Sequence, residues 1–160
     1  MTIAPLLEVT AFVLAAERYC AFIEHAHTLS LAERLTTARQ HLLELYAAGV
    51  ALPDAEPPEG FDAGPNPPAP EGFPGFARFD THWKVFDPYV DEPPVAGSLS
   101  DDLLDIYFDV HRGLALWDSE APNAAAIWEW RFHLDTHWGD HAVDALRALH
   151  RACRAVGVVQ

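Results

Sequence analysis

Basic residues are scarce in this chain of 160 residues. Lys84 is the one lysine among ten basic residues, set against 24 acidic ones, for a formal net charge of −14. A surface this negative repels phosphate backbones and anionic bilayers, so neither nucleic acid nor membrane is expected as a partner. Cysteine is almost absent too. Cys20 and Cys153 are too few for a disulfide framework, and both fall on apolar helix faces, where a thiol packs as a small hydrophobe. Long apolar runs are missing as well. The stretch behind Met1-Thr-Ile-Ala-Pro5 has no basic segment before it and is broken by Glu8, Glu17 and Arg18, so neither a signal peptide nor a membrane span is expected. A cytoplasmic location follows as the expectation. No nucleophile elbow, phosphate-binding loop, zinc-finger spacing or Cys–His arrangement occurs, which leans the reading away from an enzyme.

What is present is helical periodicity within a single domain over residues 1–160. Val9, Phe12, Val13, Ala16, Tyr19, Cys20 and Ile23 give a first helix over about 5–27 one apolar face. A second strip, Leu7, Leu14 and Ala21, lies a third of a turn away, with Thr10, Glu17 and Glu24 between the two. The second helix starts at Ser30 with a capping-box signature to Glu33 and stops near Gly49. Residues 53–72 read as a Pro/Gly-rich surface loop. Phe73, Phe76, Phe79, Trp83 and Phe86 recur three or four apart, which predicts a short packed aromatic helix over 73–87. A third helix opens at Ser98–Asp102, and a fourth runs from about Pro122 to Val156. No stretch reads as a strand. The expected fold is an all-α four-helix bundle, two antiparallel hairpins joined by the Pro-rich connection.

On a wheel of the fourth helix, His141 falls inside the apolar face, His137 at its edge, His133 further out, Arg131 near the face and Glu129 outside. A core-facing His and Arg need partners, because an unpaired buried polar group costs about 1–3 kcal/mol. Glu17 and Glu24 are the candidates. Two readings of Glu17, Glu24, Arg131, His137 and His141 stay open: a structural network with no cofactor, or a divalent metal held within the bundle. The Glu-x-x-His motif of bundle di-metal sites is missing. Asp101, Asp105 and Asp109 lie opposite the apolar face of the third helix and should be solvated, with Asp102 flanking it. Gly139 among the histidines admits close approach of another backbone or marks a bend.

Three segments carry a resemblance: Trp83-Lys-Val-Phe-Asp-Pro-Tyr89, Val95–Leu103 with Ile106-Tyr107, and Trp128–Leu146. Together they are similar to an uncharacterised bacterial family catalogued only as a domain of unknown function. The resemblance implies a bacterial, intracellular, helical protein without an established activity, and it carries over no catalytic residue. The preferred functional expectation is a non-catalytic accessory protein that docks a protein partner through Trp83, Phe86, Asp87, Tyr89, Asp101 and Asp102. The alternative is a metal-binding or metal-dependent hydrolytic bundle.

Overall fold

The apolar stripe of Val9, Phe12, Ala16, Tyr19 and Ile23 is buried on helix α1 (Ile3–His25) in the computed structural model, which describes residues 3–157. Met1 and Thr2, at the opening of the chain, lie outside the described residues. The second strip of α1 turns outward, leaving Leu7, Leu14, Glu17 and Glu24 exposed. After a 3-10 turn at Ala26–Thr28, Ser30 opens α2 (Leu31–Val50) with the predicted capping box. Glu33 N donates to Ser30 Oγ at 3.3 Å, and Ser30 N donates to Glu33 Oε2 at 2.8 Å. The helix ends one residue past Gly49, and Gly49 also lets the Trp138 ring approach, since a Cβ there would stand 2.8 Å from it.

Residues 51–76 contain no helix or strand. The loop is nevertheless fastened: Phe61 meets Trp128 edge-on at 5.4 Å between ring centroids, and Asn66 Oδ1 accepts from Arg112. The aromatic segment behind it corrects the sequence reading. In place of a packed helix over 73–87 there is a 3-10 turn (Ala77–Phe79) and then β1 (Thr81–Lys84), antiparallel to β2 (Val95–Ser98). Only the first half of the aromatic series is used as packing. Phe76 is buried and Phe73 and Phe79 half-buried, whereas Trp83 and Phe86 stay 69% and 79% exposed. The register pairs His82 with Gly97 and Lys84 with Val95. Period-two alternation turns His82 and Lys84 inward and Trp83 outward. A helix would not aim both polar side chains at one buried acid; the strand does.

Asp80 and Ser98 fasten the hairpin to α3 (Leu99–Trp117). Ser98 Oγ accepts from Asp101 N at 3.2 Å, and Asp80 Oδ1 accepts from Ser100 N at 3.1 Å. The final helical run is not continuous. Helix α4 (Asn123–His133) passes through a π turn, Leu134–Trp138, into α5 (Gly139–Ala155). Gly139 is required there, since a Cβ would collide with the Leu134 carbonyl oxygen. One extra residue in a turn rotates α4 by about 100° relative to α5. That rotation exchanges the places a single wheel assigns. Glu129 is 1% exposed, while Arg131 swings to the end of α2 and donates to the Val50 and Leu52 carbonyls, both at 3.1 Å. In space α1 packs on α2, α2 on α5, α5 on α3 and α3 on α1, with α4 against α3. The fold is mainly helical with one small antiparallel sheet.

Candidate functional site

Helix α3 carries Asp102, Asp105 and Asp109 at i, i+3 and i+7. Across from it, His133, His137 and His141 climb four residues apart through the π turn. Both series advance about one turn per step, so acids and imidazoles meet rung by rung. At the end nearer the sheet, Asp102 is 2% exposed. His141 Nδ1 donates to its Oδ1 at 2.7 Å and His82 Nε2 to its Oδ2 at 2.8 Å. Lys84 Nζ lies 3.6 Å from Asp102 Oδ1 and 3.4 Å from Asp144 Oδ2. Burial pushes the Asp102 carboxyl up, but the His141 and His82 hydrogen bonds and the Lys84 charge outweigh it and hold the pKa below the ordinary value. The same Asp102 bond raises the His141 pKa against the opposing effect of burial. Burial also raises the Asp105 pKa.

At the far end, Asp109 is 5% exposed and accepts from His137 Nδ1 at 2.6 Å and from an Arg112 Nη at 2.9 Å. Arg112 Nε donates to Glu129 Oε1 at 2.5 Å, and His133 Nε2 lies 3.1 Å from that same oxygen. Burial pushes Glu129 up, and the bonds from His133 and Arg112 more than reverse it, leaving its pKa lowered. This end is a closed acid–base network around one guanidinium.

The geometry between the two ends is chemically distinct. An ionised carboxylate only accepts, so both His137 and His141 carry their proton on Nδ1. In the neutral form of either ring this leaves Nε2 as the free lone pair. His141 Nε2 lies 3.6 Å from Asp105 Oδ2, and the two rings meet edge to face at 4.9 Å between centroids. One ligand atom from each of Asp105, His137 and His141 lies within 4.8 Å of the others. Asp109, His133 and His137 form a second such group, but Arg112 stands 2.9 Å from Asp109 and 3.1 Å from His133 Nε2. A fixed positive charge in contact with two of three donors opposes a cation there.

The residues singled out from sequence divide. His137 and His141 are brought together. Glu17 and Glu24 do not reach them: both are exposed, and Glu24 instead accepts from the Tyr107 hydroxyl at 3.0 Å. Arg131 lies outside the network, tied to the α2 terminus and 3.4 Å from Asp135. Asp101 is solvated as expected, but Asp105 is half-buried and Asp109 buried. Trp83, Phe86, Asp87 and Tyr89 are all exposed, whereas Asp102 faces inward and belongs to no surface. Sequence reasoning missed His82, Lys84, Asp105, Asp109, Arg112 and Glu129 as members. The available signal was the matching pitch of the α3 acids and the histidine series.

Residues 73–154 match the family described as Domain of unknown function (DUF5063). The chain belongs to this family. Every rung of the ladder, together with both strands that supply His82 and Lys84, lies within the matched segment. No curated protein matches the chain. The fold is similar to the crystal structure of protein BF1032 from Bacteroides fragilis, with 22% identity over 91% of each chain and a TM-score of 0.72. At that identity the likeness concerns the fold alone. Among the described residues, no helix is long and apolar enough to cross a membrane.

Proposed function

We propose that this protein is a four-helix bundle that holds one divalent transition-metal ion on Asp105, His137 and His141. The observation that carries the reading is the locking of both imidazoles. Each Nδ1 is held by a buried carboxylate, Asp102 or Asp109, which leaves each Nε2 as the free ring nitrogen; that of His141 lies 3.6 Å from Asp105 Oδ2, and His137 completes the group. Carboxylates behind ligating histidines fix the tautomer and raise ligand basicity. Two imidazoles and one carboxylate suit zinc or iron better than magnesium or calcium. Three protein ligands leave a coordination position for water, which zinc would activate for hydrolysis. The small cysteine content fits action in the bacterial cytoplasm. Calorimetric titration of tag-free apoprotein with zinc tests the reading. One equivalent should bind to the wild type, and Asp105→Asn should bind at least tenfold more weakly. Equal binding by both proteins would refute it.

A second reading is favoured by one observation: Tyr89 is 96% exposed, beside the exposed Trp83 and Phe86. Exposed aromatics in sequence proximity suit a docking surface for a protein partner. Asp87 belongs to that surface and Asp102 does not. Pull-down with Tyr89→Ala as the negative control tests it; a partner retained by the variant would discount the surface.

A further inference from the structure

Four of the ten basic residues of this acidic chain line a single groove between β1 and α5: Arg78, Lys84, Arg147 and Arg151. The groove encloses about 680 Å³, within the size of small-molecule sites. Two carboxylates, Asp140 and Asp144, share its lining, and Asp144 is already 3.4 Å from Lys84. Among the described residues, Arg78, Arg147 and Arg151 have no acidic partner within 4.0 Å. Arg78 instead lies 4.6 Å over the Phe79 ring. Arg147 and Arg151 are four apart on α5, where like charges repel and weaken the helix. In a chain with 24 acids, leaving three guanidiniums unpaired along one groove opposes stability and favours an anion. Trp83 and Phe86, from β1 and the residues after it, add exposed aromatic surface to the lining, and Val143 stands on α5 one turn before Arg147.

We infer that this groove binds a small phosphate monoester carrying a planar aromatic body. The dianionic head matches an excess of cations that a single carboxylate would leave partly uncompensated, and guanidinium forks bond phosphate in bidentate fashion. The aromatic body lies against Trp83 and Phe86, with cation–π contact to the arginines. The inference is independent of the metal reading, and it competes with protein docking for Trp83 and Phe86.

Phenyl phosphate, inorganic phosphate and phenol, each titrated into tag-free protein in chelator, provide the test. Phenyl phosphate should bind saturably and at least tenfold more tightly than either fragment. The exposed-site variant Arg147→Ala/Arg151→Ala should weaken it at least tenfold, the loss of about one charge-assisted contact or more, with no fall in melting temperature. Arg78→Ala should weaken it as well, and Asp105→Asn should bind it like the wild type. Absence of saturable binding, or equal affinity in the double variant, would overturn the inference. So would saturation of the groove by a Glu/Asp-rich peptide, or dimerisation in sedimentation, with no response to phenyl phosphate.

Discussion

The two ends of the Asp–His ladder both pair a buried aspartate with imidazoles and differ in the cation that faces it. At the far end Arg112 sits between Asp109 and Glu129, so the two acids share a positive charge that cannot be removed at any ordinary pH. Near the sheet the fixed cation is Lys84, and it is shared with Asp144 on the groove side. That leaves Asp105, half-buried and with no arginine within 4.0 Å among the described residues, 3.6 Å from His141 Nε2 and grouped with His137. On the proposed reading, a cluster of acids and histidines becomes a structural clasp or a cation site according to where its guanidinium stands.

The largest effect should come from breaking the clasp. Arg112→Ala leaves Glu129 and Asp109 buried without their countercharge, and chemical denaturation should show a loss of about 3–5 kcal/mol. A loss below about 1 kcal/mol would show that the network is solvated and that the contrast between the ends is wrong. Next is the π turn that brings the histidines into line. Gly139→Ala should destabilise the protein by roughly 1–3 kcal/mol through collision with the Leu134 carbonyl. It should also weaken zinc binding, because His137 lies in the distorted turn and His141 just beyond it; unchanged zinc affinity would separate the turn from the site.

Acid titration sharpens the same contrast. The Glu129 pKa is lowered in the folded state, so its stabilising contribution is complete above the ordinary glutamate pKa. It is lost as pH falls through the lower, folded value. Glu129→Gln should therefore flatten the acid limb of stability against pH, and an unaltered limb would contradict the assignment. The smallest effect belongs to the exposed hairpin. Trp83→Ala should change stability by no more than about 0.5 kcal/mol, and a larger loss would mean that this ring is packed.

Much of the fold was legible because it rests on local rules. The Ser30–Glu33 box, the buried face of α1 and the Ser98 cap all follow from spacing. The sheet was not legible: each strand is four residues long, and His82 and Lys84 point inward because of Asp102, twenty and eighteen residues on. The site was half legible. His141 is half-buried as its wheel position requires and His137, from the edge of the face, stays exposed, and their partners lie on α3 and not on α1. The single wheel also misplaced Glu129 and Arg131, for one physical reason. A π turn breaks helical phase, and its only local signal was the glycine at 139.

The claim that one end of the ladder takes an ion and the other does not is read most directly from the histidine ring nitrogens. Long-range proton–nitrogen spectra of uniformly labelled, tag-free protein would be followed as zinc is added to one equivalent. The account predicts that Nε2 of His137 and His141 shift together on binding, while both Nδ1 atoms keep their protons and the His133 signals stay in place. Shifts at His133 with loss of the His137 Nδ1 proton, or no response from any of the three rings, would contradict it.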